Sequence, residues 1–126
     1  MKVHRTLGPG FLESVYLNAL IHELRRAGFS AEIGQRITVR YENIIAGEFI
    51  ADLIVNDVLL CELKAISSLS KADEVQMVNY LTATNRDFGL LLNFGAASLQ
   101  FKRKYRRSSS ASDIDLQNPI NPVNPV

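Results

Sequence analysis

The sequence is poor in the features that mark secreted, membrane-bound or strongly charged proteins. It has one cysteine, Cys61, in 126 residues, so no internal disulfide can form. Cys61 sits in an apolar strand, where a small buried thiol is the ordinary role and a nucleophile the rare one. No apolar run approaches the ~18 residues that a membrane span needs. No signal peptide precedes the first helix, and the expected location is cytoplasmic. A net charge of +1 excludes a polycation held to nucleic acid by bulk charge. Also missing are a G-x-x-x-x-G-K phosphate loop, a Cys-x-x-Cys pair and a His-Glu-x-x-His helix, which leaves Walker-type nucleotide hydrolysis and structural zinc without support. His4 and His22 show no ligand spacing. What remains, at 47% apolar residues, is a chain long enough for one domain with a single core.

Gly8, Pro9 and Gly10 make a turn that ends any earlier helix and releases the next. From Phe11 to about Ala27 the spacing is helical, with Gly28 as the stop signal. Leu12, Tyr16, Leu17, Leu20, Leu24 and Ala27 form its apolar arc. Glu13 falls near the middle of that arc, an anomaly for a buried face. "RITVRY" alternates Ile37, Val39 and Tyr41 against Arg36, Thr38 and Arg40, a half-buried strand. A loop is expected from Glu42 to Gly47, followed by strands at about Glu48–Val55 and Val58–Lys64 joined as a hairpin through Asn56-Asp57. Ser70 caps a second helix, with Asp73 as its return partner. "FGLLLNFG" reads as a central strand covered on both sides, and "SLQFKRKYRR" begins as a further strand and becomes basic. The predicted domain covers residues 1–107. The tail at 108–126, rich in Ser and Asn-Pro, is expected to be disordered.

One segment stands apart. "IADLIVNDVLLCELKA" is apolar enough to bury both faces of its strands, yet it carries Asp52, Glu62 and Lys64. Charges there cost several kcal/mol, roughly, unless they are paired. The trio is either an internally compensated network or a working site. Two carboxylates from adjacent strands can hold a hard divalent cation, with the lysine nearby for a phosphate or an attacking water. Such chemistry demands that both acids share a face. A two-residue turn would pair Asp52 with Cys61 and separate the acids. A three-residue turn over Asn56, Asp57 and Val58, or a bulge, shifts the register by one, pairing Asp52 with Glu62 and Ile50 with Lys64. The shifted register is the prediction.

The spacing D-(x)9-E-L-K resembles the signature of the PD-(D/E)XK nucleases, with alanine where a proline would precede the aspartate. "GFLESVY" places Gly10, Glu13 and Tyr16 in the spacing that names the GxxExxY family of that superfamily. Similarity runs through "FIADLIV", "LLCELKAI", "QMVNYL" and "GLLLNFG", roughly Val3 to Arg103. The resemblance implies an α/β fold with a restriction-endonuclease-like core, a mixed central β-sheet flanked by helices in the order αβββαβ. It makes Asp52 and Glu62 ligands of Mg²⁺ or Mn²⁺ with the Leu63 carbonyl as a third, Lys64 the catalytic lysine, and Glu13 a further acid directed at the metal. Gln76 and Tyr80 match a Q-x-x-x-Y element bordering the site. Lys102 and Arg103, in the basic run, are candidates for phosphate contact, against the alternative of a solvated strand edge. The implied partner is nucleic acid, DNA before RNA, with a second copy of the chain needed to cut both strands. The competing reading is a catalytically inactive nuclease-fold module that binds nucleic acid or a protein.

Overall fold

Glycine and proline divide the N-terminal stretch as their backbone preferences require. In the computed structural model, which describes residues 1–107, helix α1 (Lys2–Leu7) stops at Gly8. Helix α2 (Glu13–Arg26) follows the turn. It closes where Gly28 takes φ +94°, while Gly28 N–H donates to the Arg25 carbonyl and Phe29 N–H to the Leu24 carbonyl, each at 3.0 Å. The tail expected to be disordered lies outside the described residues. Tyr16, Leu20 and Ile21 form the buried face of α2. Leu12 is 77% exposed, contrary to its place in the apolar arc, because it is the extended residue before the helix.

Strand β1 (Ala31–Tyr41) pairs antiparallel with β2 (Ile44–Val55). Both are longer than the sequence pattern suggested. The expected loop from Glu42 to Gly47 is only a tight turn at Glu42 and Asn43, with Glu42 at φ +53°. Gly47 pairs with Val39 instead of breaking the strand, and a register shift between Val39 and Arg40 absorbs the extra residue. The distal part of this hairpin is solvated: Tyr41 is 65% exposed, so the expected inward set is buried only at Ile37.

Strand β3 (Leu59–Lys64) returns antiparallel to β2. Helix α3 (Lys71–Thr84) then crosses over to β4 (Phe88–Asn93), which is parallel to β3, and β5 (Gln100–Tyr105) closes the sheet antiparallel. The spatial order is β1-β2-β3-β4-β5, a mixed sheet with the expected αβββαβ order inside it. On one face α1 and α2 bury Val3, Tyr16, Leu20 and Ile21 against Leu53, Cys61, Leu63, Leu92 and Phe94. On the other, α3 lays Met77 and Leu81 over Ile37, Ala51, Ile54, Leu60 and Leu91. Gly89 admits that close approach, since a Cβ there would lie 2.7 Å from Met77 Sδ.

Asn93, fully buried at the end of β4, ties down the connection from β3 to α3. Its Oδ1 accepts from Ile66 N–H at 2.9 Å and from Gly95 N–H at 3.1 Å. Its Nδ2 donates to the Ile66 carbonyl and to Gln100 Oε1, both at 2.9 Å. Gln100 Oε1 also accepts from Leu69 N–H at 3.0 Å. The strand end and the start of α3 therefore hold a fixed separation.

Candidate active site

The β2–β3 turn contains three residues, Asn56, Asp57 and Val58, between the paired Val55 and Leu59. Asn56 and Asp57 both take left-handed conformations, φ +52° and +60°, which their short polar side chains tolerate better than most. Asn56 also fastens the turn to Ser30, whose N–H donates to its Oδ1 at 2.9 Å. The ladder runs Val55↔Leu59, Ile54↔Leu60, Leu53↔Cys61. The next positions are Asp52 and Glu62, on the shifted register. There the backbone pairing stops and side chains replace it. Asp52 N–H donates to Glu62 Oε2 at 3.2 Å, and Leu63 N–H donates to Asp52 Oδ2 at 2.9 Å. Each carboxylate is thus anchored to the other's strand. The expected pair of Ile50 with Lys64 does not form, because the strands have parted by that point.

A second irregularity sits on the other side of Asp52. Leu53 packs with the α2-side core and Ala51, two residues away, with the α3-side core. The same inversion occurs in β1, where Ala31 faces α2 and Ile37 faces α3. Regular alternation would keep both members of each pair on one side. Between them Gly34 takes φ +73° and drops out of the ladder flanked by Ile33↔Leu53 and Gln35↔Ala51. Asp52 occupies the crossing point.

Burial, then repulsion from Asp52, pushes the Glu62 carboxyl up from 4.5 to about 7, against the opposing pull of the Asp52 N–H and Lys64. Among the described residues no ion pair includes Asp52 or Glu62. Lys64 Nζ instead lies 3.8 Å from Asp73 Oδ1. Burial and both carboxylates push the Cys61 thiol up to about 12, which keeps it protonated and inert, as its apolar setting predicted. Tyr80 is also raised, by burial and then by Glu62 and Asp52, so its hydroxyl belongs to the same neighbourhood. Its ring stacks on Phe49 with centroids 3.6 Å apart.

Asp52, Glu62, Lys64 and Tyr80 therefore come together, and the backbone of Leu63 lies among them. Other expected residues do not. Glu13 is exposed in the first turn of α2, and no hydrogen bond or ion pair among the described residues joins it to the acids. Gln76 is exposed on α3, one turn before Tyr80. Lys102 and Arg103 point to opposite faces of β5, as neighbours on a strand must. Lys102 pairs with Leu91 and acts on Glu74 of α3, whereas Arg103 lies over the Phe101 ring at 5.3 Å.

Three contributors escaped sequence reasoning. Phe49 and Asn93 reach the site or its supports through tertiary packing alone. Asp73 is visible locally only as a helix cap. Tyr16 carries more than spacing: its hydroxyl donates to the Gly8 carbonyl at 2.6 Å and accepts from Phe11 N–H at 3.1 Å, pinning the turn before α2.

The donor set fits a hard divalent cation. It offers two convergent carboxylates that enter no ion pair among the described residues, and burial and mutual repulsion raise the proton affinity of one of them. No third His, Cys, Asp or Glu joins them among the described residues, so backbone oxygen and solvent would complete the coordination.

Residues 1–107 match the family described as the PD-(D/E)XK nuclease superfamily. Among solved structures, the crystal structure of SSO0001 superposes with a TM-score of 0.60 at 17% identity, over 85% of this chain and 60% of that one. An alkaline exonuclease from Laribacter hongkongensis superposes with a TM-score of 0.54 at 15% identity, over 82% of this chain and 60% of that one. The chain thus spans about 60% of the length of either neighbour. No curated protein sequence matches it. These likenesses establish a restriction-endonuclease-like α/β fold.

Proposed function

The chain belongs to the PD-(D/E)XK nuclease superfamily, and from that premise we propose that it is a divalent-metal-dependent nuclease that hydrolyses phosphodiester bonds in DNA. Within the superfamily, Gly10, Glu13 and Tyr16 assign it to the GxxExxY family. One observation carries the reading: a half-buried pair of carboxylates, Asp52 and Glu62, each anchored to the other's strand and outside every ion pair among the described residues. A structural network would have Lys64 paired to those acids. Here the lysine is turned to Asp73.

In the proposed mechanism Asp52 and Glu62, with the Leu63 carbonyl, would hold Mg²⁺ or Mn²⁺. When bound, the ion supplies a Lewis acid for the scissile phosphate and lowers the pKa of a coordinated water. Lys64 orients the attacking water and offsets charge on the phosphate oxygens. Tyr80 borders the reacting groups, and Gln76 and Lys102, on the α3 side of the sheet, follow the backbone of the substrate. Glu13 and Arg103 stand outside this set, since no hydrogen bond or ion pair among the described residues joins them to it. The nuclease domain is assigned to residues 1–107. One site cuts one strand, so cleavage of a duplex is assigned to two copies.

The test is cleavage of labelled single- and double-stranded DNA, with RNA as a parallel arm, in Mg²⁺ or Mn²⁺, for wild type and Glu62→Gln. Metal-dependent cutting lost in the variant supports the assignment. Full activity in Glu62→Gln removes it. Nucleic-acid binding without cutting, in a protein whose melting temperature ignores Mg²⁺, supports the inactive module instead.

A further inference from the structure

We propose that Asp73 is the positioning residue for Lys64, holding its ammonium away from the Asp52–Glu62 pair and toward the substrate. The inference rests on the role assigned to Lys64 above and goes beyond it, since Asp73 belongs to a different element and its local pattern marks only a helix cap. The cap itself sets the geometry. Asp73 Oδ2 accepts from Ser70 N–H at 2.8 Å and from Ser70 Oγ at 2.9 Å, while Asp73 N–H donates to Ser70 Oγ at 3.2 Å. These bonds fix the plane of the carboxylate and leave Oδ1 directed at Lys64 Nζ, 3.8 Å away. Both side chains are mostly shielded, at 26% and 18% exposure.

A lysine ammonium on its four-carbon stem has wide freedom, and two carboxylates within its reach would ordinarily capture it. Capture would neutralise the acids that the cation needs. Asp73 supplies a competing anion at a point fixed by Asn93 and Gln100, which tie Ile66 and Leu69 to the end of the sheet. Ser70, Asp73 and Lys64 thus form a chain from the first turn of α3 to the last residue of β3.

Asp73→Asn separates the two duties of the residue. The amide oxygen still accepts from Ser70, so the cap persists, while the group facing Lys64 loses its charge. The expected result is a roughly tenfold fall in kcat with KM for DNA and the melting temperature nearly unchanged. In a Lys64→Ala background, Asp73→Asn is expected to cause no further loss. An equal loss in both backgrounds, or none in wild type, overturns the proposal. A second readout needs no cleavage: NMR relaxation of the lysine ε-methylene groups in the full chain. Lys64 is expected to be ordered in wild type and, in Asp73→Asn, as mobile as exposed Lys71. If Lys64 is already that mobile in wild type, the positioning role fails whether or not the chain cuts DNA. An ordered Lys64 freed by Asp73→Asn, in a protein that cuts nothing, leaves the positioning role standing and removes the nuclease assignment.

Discussion

The chain carries charge in two strand segments, and the two are handled in opposite ways. The basic run from β5 to Arg107 looks like the stronger functional signal, yet two of its five cations are paired with carboxylates and a third is held by a side-chain amide. Lys104 bonds Glu74 at 2.9 Å, Arg106 bonds Asp87 at 2.8 Å and Asn85 at 2.6 Å, and Arg107 bonds Asn79 at 2.8 Å. In β2–β3 there are only two acids and a lysine. The acids hold backbone N–H groups and enter no ion pair among the described residues, and one acid binds its proton up to about pH 7. Density of charge along a sequence therefore says little about function. Half-buried charge left outside any ion pair says more, because an external partner can offset its cost.

The largest effect that would sharpen this contrast is Glu62→Gln, expected to reduce cleavage by at least about a thousandfold while raising the metal-free melting temperature at pH 8. Cleavage assays and thermal melts read both. A variant that loses stability at that pH would place Glu62 with the compensated charges of β5.

The second effect is pH dependence. The folded chain holds the Glu62 proton up to about pH 7, whereas in the unfolded chain it leaves near 4.5. The stabilising contribution is thus complete below 4.5 and lost as pH rises through about 7. Integrated, this is roughly 3 kcal/mol. Urea denaturation of the metal-free protein at pH 5 and pH 8 should reveal the loss, Glu62→Gln should abolish it, and Mg²⁺ at pH 8 should reverse it. A smaller change is expected from Gly34→Ala, which forces a Cβ into the left-handed region at a cost of about 1–2 kcal/mol. Because Asp52 stands at the same crossing, activity should fall further than the melting temperature alone predicts. The smallest is Lys104→Ala, which removes a partly exposed pair and should cost about 1 kcal/mol or less and leave cleavage untouched.

What could be read from the residues, and what could not, divides along the range of the forces involved. The acid pair pointed to the shifted register, because a three-residue turn or a bulge puts Asp52 and Glu62 on one face, and the ladder shows the turn. The capping box at Ser70 and Asp73 is a four-residue interaction and was equally legible. Gly47 misled the reading of β2: taken as the end of a loop, it lies in an ordinary pair within the strand, while β1 begins five residues before its alternating run and holds Gly34 at positive φ. The second duty of Asp73 and the stacking of Phe49 on Tyr80 had no local trace at all. Each depends on α3 landing on the sheet, a packing event that no window of sequence contains.

The crossing at Gly34 and Asp52 also decides what a protein engineer could lift out of this fold. Transplanting Asp52, Glu62 and Lys64 onto another hairpin would seat them on a regular ladder, whose backbone bonds would close over the rung that here stays open. Gly34 lies on a different strand from all three, yet it stands at the point where Asp52 leaves that ladder. The smallest portable unit is therefore the run of three strands from Ala31 to Lys64, with its glycine, rather than a three-residue motif.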